Sequence, residues 1–142
     1  GNKLSYLWNI LYTLFNFKSK KVEVAFEQDS FEEFMLSINV GIGKYSGGKM
    51  QFTPLAQIDD GLFDLTFIED ISKMEILRNI KRLYNGTLLE HPNIRSYRAK
   101  EIKINSDNKV YLEVDGESLG HTPVEFSIKK RALNVISKYK KE

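Results

Sequence analysis

A chain of 142 residues with 42% hydrophobic and 28% charged residues has the composition of one globular domain and is neither fibrous nor disordered. Its 21 Lys and Arg against 19 Asp and Glu leave a formal charge of +2, so total charge gives no sign of nucleic-acid binding. Cysteine is absent, which excludes a disulfide framework, a thiolate zinc site and a cysteine nucleophile, and accords with a reducing cytosol.

The chain opens on Gly1 rather than Met, which suggests a processed tag or a truncated protein. Leu4, Leu7, Trp8, Leu11, Leu14 and Phe15 recur at three- and four-residue steps and predict an N-terminal helix ending before Lys18. Ser5, Asn9, Thr13 and Asn16 interrupt that stretch, which is far shorter than the ~20 apolar residues of a membrane span. It also lacks the cleavage pattern of a signal peptide.

From Val22 the period falls to two. Val22, Val24 and Phe26 alternate with Glu23, Ala25 and Glu27, Gln28-Asp29-Ser30 offers a turn, and Phe31–Val40 reads as the second arm of a hairpin. Further strands are predicted at Met50–Thr53, Leu62–Glu69, Arg98–Asn105, Val110–Asp115, Val124–Ile128 and Ala132–Ile136. One inserted helix starts at a Ser72-Lys-Met-Glu75 capping box, buries Ile76, Leu77, Ile80, Leu83 and Tyr84, and stops at Gly86. The sum is a mainly β (α+β) chain: a single β-sandwich-like domain of about eight strands with an N-terminal helix and one inserted helix.

Three segments have candidate chemistry. Gly41-Ile-Gly-Lys-Tyr-Ser-Gly-Gly48 is either a phosphate-binding loop or a connection whose glycines adopt positive φ, and it matches neither the Walker nor the Gly-x-Gly-x-x-Gly spacing. Asp59, Asp60 and Asp64 crowd an Asp-Gly turn, which serves hairpin geometry or a hard cation such as Mg²⁺. Asp115 and Glu117 end the run Val110, Leu112, Val114; on a regular strand both face away from that apolar set, as a solvated end or as a general base with its neighbour. His91 and His121 lack metal-ligand spacing and are expected on the surface without chemistry.

In order and spacing, Asn39-Val-Gly-Ile-Gly-Lys-Tyr-Ser-Gly-Gly48, Pro54-Leu-Ala-Gln-Ile-Asp-Asp-Gly-Leu-Phe-Asp-Leu65, Tyr97-Arg-Ala-Lys-Glu-Ile102, Val114-Asp-Gly-Glu117 and Thr122-Pro-Val-Glu-Phe126 resemble the C-terminal domain of the diacylglycerol kinase-like lipid kinases. That family includes bacterial diacylglycerol kinases and the sphingosine and ceramide kinases. The resemblance covers about residues 22–137 and departs from the family at Ser46, where a third glycine is common.

It implies a two-domain enzyme with its active site between the halves, moving the ATP γ-phosphoryl group to a lipid hydroxyl. The N-terminal nucleotide-binding domain, with its Gly-Gly-Asp-Gly-Thr motif, is missing here, so residues 1–142 alone are expected to be inactive. By the same resemblance Glu117 is the catalytic base with Asp115 as its support. The resemblance also implies a structural Mg²⁺ held by Asp60 and the carbonyls of Gln57 and Leu62. Expected partners are the lipid substrate, diacylglycerol first among the candidates, and the missing domain, with a homodimer and peripheral membrane contact left open. The expected location is the cytoplasm. A lipid-binding or regulatory sandwich without catalysis is the competing reading. Lys129-Lys-Arg131 and Lys138, Lys140 and Lys141 are either a solvated tail or contacts for anionic headgroups.

Overall fold

The computed structural model describes residues 12, 15–27, 29–134 and 136. Most of the predicted N-terminal helix lies outside them, although residues 12, 15 and 16 are helical. The strands are β1 (Lys20–Phe26), β2 (Asp29–Gly41), β3 (Phe63–Glu69), β4 (Ile94–Ala99), β5 (Glu101–Asn105), β6 (Tyr111–Val114), β7 (Glu117–His121) and β8 (Val124–Ser127). Two short helices, α1 (Lys73–Asn79) and α2 (Arg82–Asn85), follow β3. The main sheet runs β4-β3-β2-β1-β5-β8, and β6 and β7 pair only with each other. Every pairing is antiparallel.

β2 explains how this ribbon closes over a core. Its first half pairs with β1 as far as Lys20↔Met35, and its second half pairs with β3 from Met35↔Glu69 to Gly41↔Asp64, with a register shift between Met35 and Ser37. A bulge there bends and twists the strand, passing it from one layer to the other. β4 runs into β5 through Lys100 alone, so the chain turns a second corner. Phe63 of β3 and Phe126 of β8 therefore meet, ring centroids 6.4 Å apart.

Between the layers lie Val22, Val24, Phe26, Met35, Leu65, Phe67, Ala99, Ile102 and Ile104, with Phe31 and Tyr97 against them. Phe31 stands edge-on to Phe67 at 5.2 Å, a favoured aromatic geometry, and the Arg95 guanidinium covers Phe31 at 4.9 Å. Glu33 and Glu69 flank Arg95. Burial opposes its charge, but the two carboxylates hold its pKa above the ordinary value.

The other face of β3 also buries side chains, because the inserted helical segment covers part of it. Ile68, Leu88 and Ile94 form a second cluster with Leu36, Phe52, Ile71, Leu83 and Leu89. Ser72 caps α1 as expected, its hydroxyl accepting the Glu75 N–H at 3.2 Å, and Gly86 ends α2 at φ 77. The Glu75 carboxylate is aimed at His91 Nε2, 3.2 Å away. His91 is thus buried, contrary to the surface position expected, and its Nδ1 accepts the Asn93 N–H at 3.3 Å. Of the predicted helical stripe, Ile80 and Tyr84 are exposed.

Four strand boundaries differ from the sequence reading. Met50–Thr53 forms no strand, since its backbone is drawn sideways: Gln51 N–H donates to Leu83 O at 2.6 Å. Arg98–Asn105 is two strands, because Lys100-Glu101 puts two exposed residues between buried Ala99 and Ile102 and breaks the alternation. Glu117–His121 is an additional strand, paired with β6. In the last predicted strand, residues 132–134 and 136 are not extended in a ladder, and residue 135 lies outside the described set.

Candidate functional site

The glycine-rich segment begins where β2 ends, and its geometry is that of a pinned loop. A Cβ on Gly41 would stand 2.5 Å from Thr53 Oγ1, so Gly41 serves close approach rather than a positive φ. Thr53, itself buried, donates its hydroxyl to Gly43 O at 2.9 Å. Ser46 N–H donates to Met50 O at 2.8 Å and is committed within the loop. Ser46 has φ −107 and ψ −174, extended backbone that any residue adopts, so serine strains nothing in place of glycine. Among these glycines only Gly48 is left-handed, at φ 69.

The Asp-Asp-Gly turn adjoins this loop, because the register sets Gly41 opposite Asp64. Gly61 takes φ 78, and the Lys130 side chain crosses it within 2.7 Å of where a Cβ would stand. Asp60 Oδ1 accepts the Leu62 N–H at 2.9 Å, an Asx turn that shapes the entry to β3. Its other oxygen pairs with Arg98 Nη2. Arg98 lies opposite Asp64 in the β3–β4 ladder, and its Nε stands 3.6 Å from Asp64 Oδ2.

Asp64 is 2% exposed, and burial pushes its carboxyl above the usual carboxylate range. Neither Asp64 oxygen nor the neighbouring Thr66 Oγ1 has a hydrogen-bond partner among the described residues. No local pattern warns of this, since an Asp after Asp-Gly reads as a turn residue; Gly41 and Arg98, its cross-strand neighbours, are the signal that could have found it.

Gln57, Asp60 and Leu62, the expected metal ligands, thus share one turn, but Asp60 already has a protein donor on each oxygen. Among the described residues no group of three His, Cys, Asp or Glu could hold a metal ion. With the Arg98 guanidinium on one Asp60 oxygen and the Leu62 N–H on the other, the one carboxylate of this set is committed within the protein and already neutralised, which fits a divalent cation poorly: the ion would have to displace or face that positive charge.

Asp115 and Glu117 lie elsewhere, on the β6–β7 hairpin. Asp115 (φ 51) and Gly116 (φ 90) are both left-handed, the two-residue turn that suits right-twisted strands. The turn resets the side-chain alternation: Val114 pairs with Glu117, and residues directly opposite share a face. Glu117 therefore stands on the Leu112 and Val114 side, not opposite it, and Asp115 is in the turn rather than on a strand. All of β7 is exposed. The Glu117 carboxylate has no hydrogen-bond or ion-pair partner among the described residues.

The hairpin is fixed at its base. Buried Thr122 donates its N–H to Val110 O at 2.9 Å and accepts the Val110 N–H on Oγ1 at 3.3 Å, while Val110 packs on the main core. A shallow groove over β1, β5 and β8, lined by Glu23, Lys103, Asn105, Pro123 and Glu125, includes none of the expected site residues.

Fold and site define a class: an antiparallel sandwich-like domain with a pinned glycine loop beside an acidic turn, and a separate acidic hairpin. Within that class the chain belongs to the YegS C-terminal NAD kinase beta sandwich-like domain family, whose model matches residues 1–137. It is 28% identical over 118 residues to a diacylglycerol kinase of Staphylococcus haemolyticus, covering 83% of this chain and 36% of that one. It is 25% identical over 134 residues to a diacylglycerol kinase of Bacillus subtilis, covering 94% and 44%. The crystal structure of a diacylglycerol kinase candidate from Bacillus anthracis superposes with a TM-score of 0.70 at 25% identity, covering 91% of this chain and 45% of that one. The chain therefore spans less than half the length of these relatives, and it corresponds to the C-terminal domain of lipid kinases of this kind.

Proposed function

We propose that this chain is the lipid-side domain of an ATP-dependent lipid kinase, with Glu117 as the base that takes the proton of the acceptor hydroxyl and diacylglycerol as the acceptor. The observation that carries the assignment is the Glu117 carboxylate itself: without a partner among the described residues, exposed, and held on a short hairpin whose base is anchored at Thr122. A base must reach its proton at hydrogen-bond distance, and a carboxylate already committed to an ion pair could not.

In the reaction the hydroxyl proton passes to a Glu117 oxygen, the alkoxide oxygen forms a bond to the γ-phosphorus, and the bond from that phosphorus to the bridging oxygen of ADP breaks. ATP and the Mg²⁺ that accompanies it bind in the additional length that the relatives possess, so the chain alone transfers no phosphate. Asp115 acts as a positioning residue. Its left-handed backbone sets the turn that presents Glu117, a conformation that aspartate and asparagine tolerate best among residues with a side chain. Because the acceptor resides in a bilayer, the working enzyme is a cytoplasmic protein in peripheral contact with a membrane.

The test uses a family-length protein containing this chain, assayed with labelled ATP and diacylglycerol in mixed micelles. Glu117→Gln is expected to lower kcat about 10²–10⁴-fold, the range for a lost general base, with the lipid KM little changed. Asp115→Asn keeps the turn and is expected to retain most of the turnover. Near-normal kcat in Glu117→Gln would remove Glu117 from the mechanism and favour a lipid-binding module without catalysis.

A further inference from the structure

The Asp-Asp-Gly turn contains its own cation. We infer that Arg98 is a built-in counter-ion, paired with Asp60 and facing Asp64, which takes the place of a divalent metal at this turn and makes the fold of the domain independent of one. The inference concerns folding and stands apart from the kinase reading.

Three observations carry it. First, Arg98 is delivered by strand register, since it lies opposite Asp64 in the ladder, so its guanidinium is oriented by β4 rather than by a mobile loop. Second, one side chain spans both carboxylates: Nη2 pairs with an Asp60 oxygen while Nε faces Asp64 Oδ2 at 3.6 Å. The planar fork of arginine suits such a bridge and the point charge of lysine does not. Third, the remaining Asp60 oxygen accepts the Leu62 N–H at 2.9 Å, so both of its oxygens have protein donors. The half-buried pair, with side-chain exposures of 42% and 20% for Arg98 and Asp60, is screened less than a fully solvated one.

The chain's thermal melting is followed in EDTA and with added MgCl₂ at matched ionic strength, for wild type, Arg98→Gln, Asp60→Asn and the double variant. The expected result is a wild-type Tm that moves by no more than about 1 °C with Mg²⁺, because a ligand raises Tm only by binding the native state. Arg98→Gln is expected to melt several degrees lower in EDTA, and to cost less in the Asp60→Asn background, since coupled partners are not additive. A saturable rise of several degrees for wild type in Mg²⁺, abolished by Asp60→Asn, overturns the inference. So does Arg98→Gln melting like wild type. Should Arg98→Gln fail to fold, Arg98→Lys replaces it: a Tm below wild type supports the fork-like bridge, and an unchanged Tm overturns it.

Discussion

Replacing Gly41 by alanine probes whether the glycine-rich segment is a pinned connection or a free cradle. The added methyl would lie 2.5 Å from Thr53 Oγ1 and 3.2 Å from Thr53 Cγ2, well inside contact distance, against a side chain only 4% exposed. Forcing an extra carbon into packed surroundings costs about 1–3 kcal/mol. If Thr53 rotates to make room it loses the bond to Gly43 O, about 1 kcal/mol more. The expected destabilisation is thus ~3 kcal/mol. For a chain of 142 residues the unfolding entropy corresponds to roughly 0.3 kcal/mol per degree, so Tm should fall by about 10 °C. Gly43→Ala is the internal control, because its methyl meets only Ile58 Cγ2 at 3.7 Å, an ordinary contact. Calorimetry and urea unfolding of both variants, together with Thr53→Ala and Gly41→Ala/Thr53→Ala, give the measurement. The double variant should recover part of the loss. A Gly41→Ala protein within about 0.5 kcal/mol of wild type, or no coupling with Thr53, refutes the pinned-loop geometry and returns the segment to the class of flexible loops.

Asp64 predicts a pH dependence. Burial raises its folded-state pKa above the ordinary 3.8, so its contribution favours the fold below 3.8 and is lost as pH rises through the folded value. Asp64→Asn should flatten the curve of stability against pH in that window, and a curve superimposable on wild type would contradict the desolvation argument. The helical insert depends on Ser72 and His91. Ser72→Ala should cost about 1 kcal/mol, and His91→Ala, which unpairs Glu75 and the Asn93 N–H, about 2–3 kcal/mol. Both should speed amide exchange in α1 before the core strands, and uniform acceleration across the chain would count against a local role.

Apolar residues at every second position made β1 and the first part of β3 legible from sequence, and the cap chemistry at Ser72 and the left-handed stop at Gly86 placed the helical segment. Sequence reading failed where a change of parity had to be recognised. Lys100-Glu101 looks like one irregular step inside a strand, yet it marks the corner between β4 and β5. Asp115-Gly116 sits in an acidic run that can pass for a strand end, and treating it as one put Glu117 on the wrong face. The motifs of the candidate site were readable because they are turn-forming and polar. Their partners were not: that Gly41 is fitted to Thr53, or that Arg98 reaches both Asp60 and Asp64, depends on pairing between distant segments, and no local pattern records it.

The division of β2 between two layers also bears on how the chain reaches its fold. Its first half can zip with β1 at once, because only a tight turn separates Phe26 from its partner Asp29. Its second half must wait for β3, and β1 must then accept β5 across the separation from Glu23 to Asn105. Loops that long close at an entropic cost before any contact repays it. An early β1–β2 hairpin with a half-used long strand, completed slowly by distant segments, is the order of events this topology favours. The unpaired half of β2 is then the stretch most exposed to wrong partners while the chain folds.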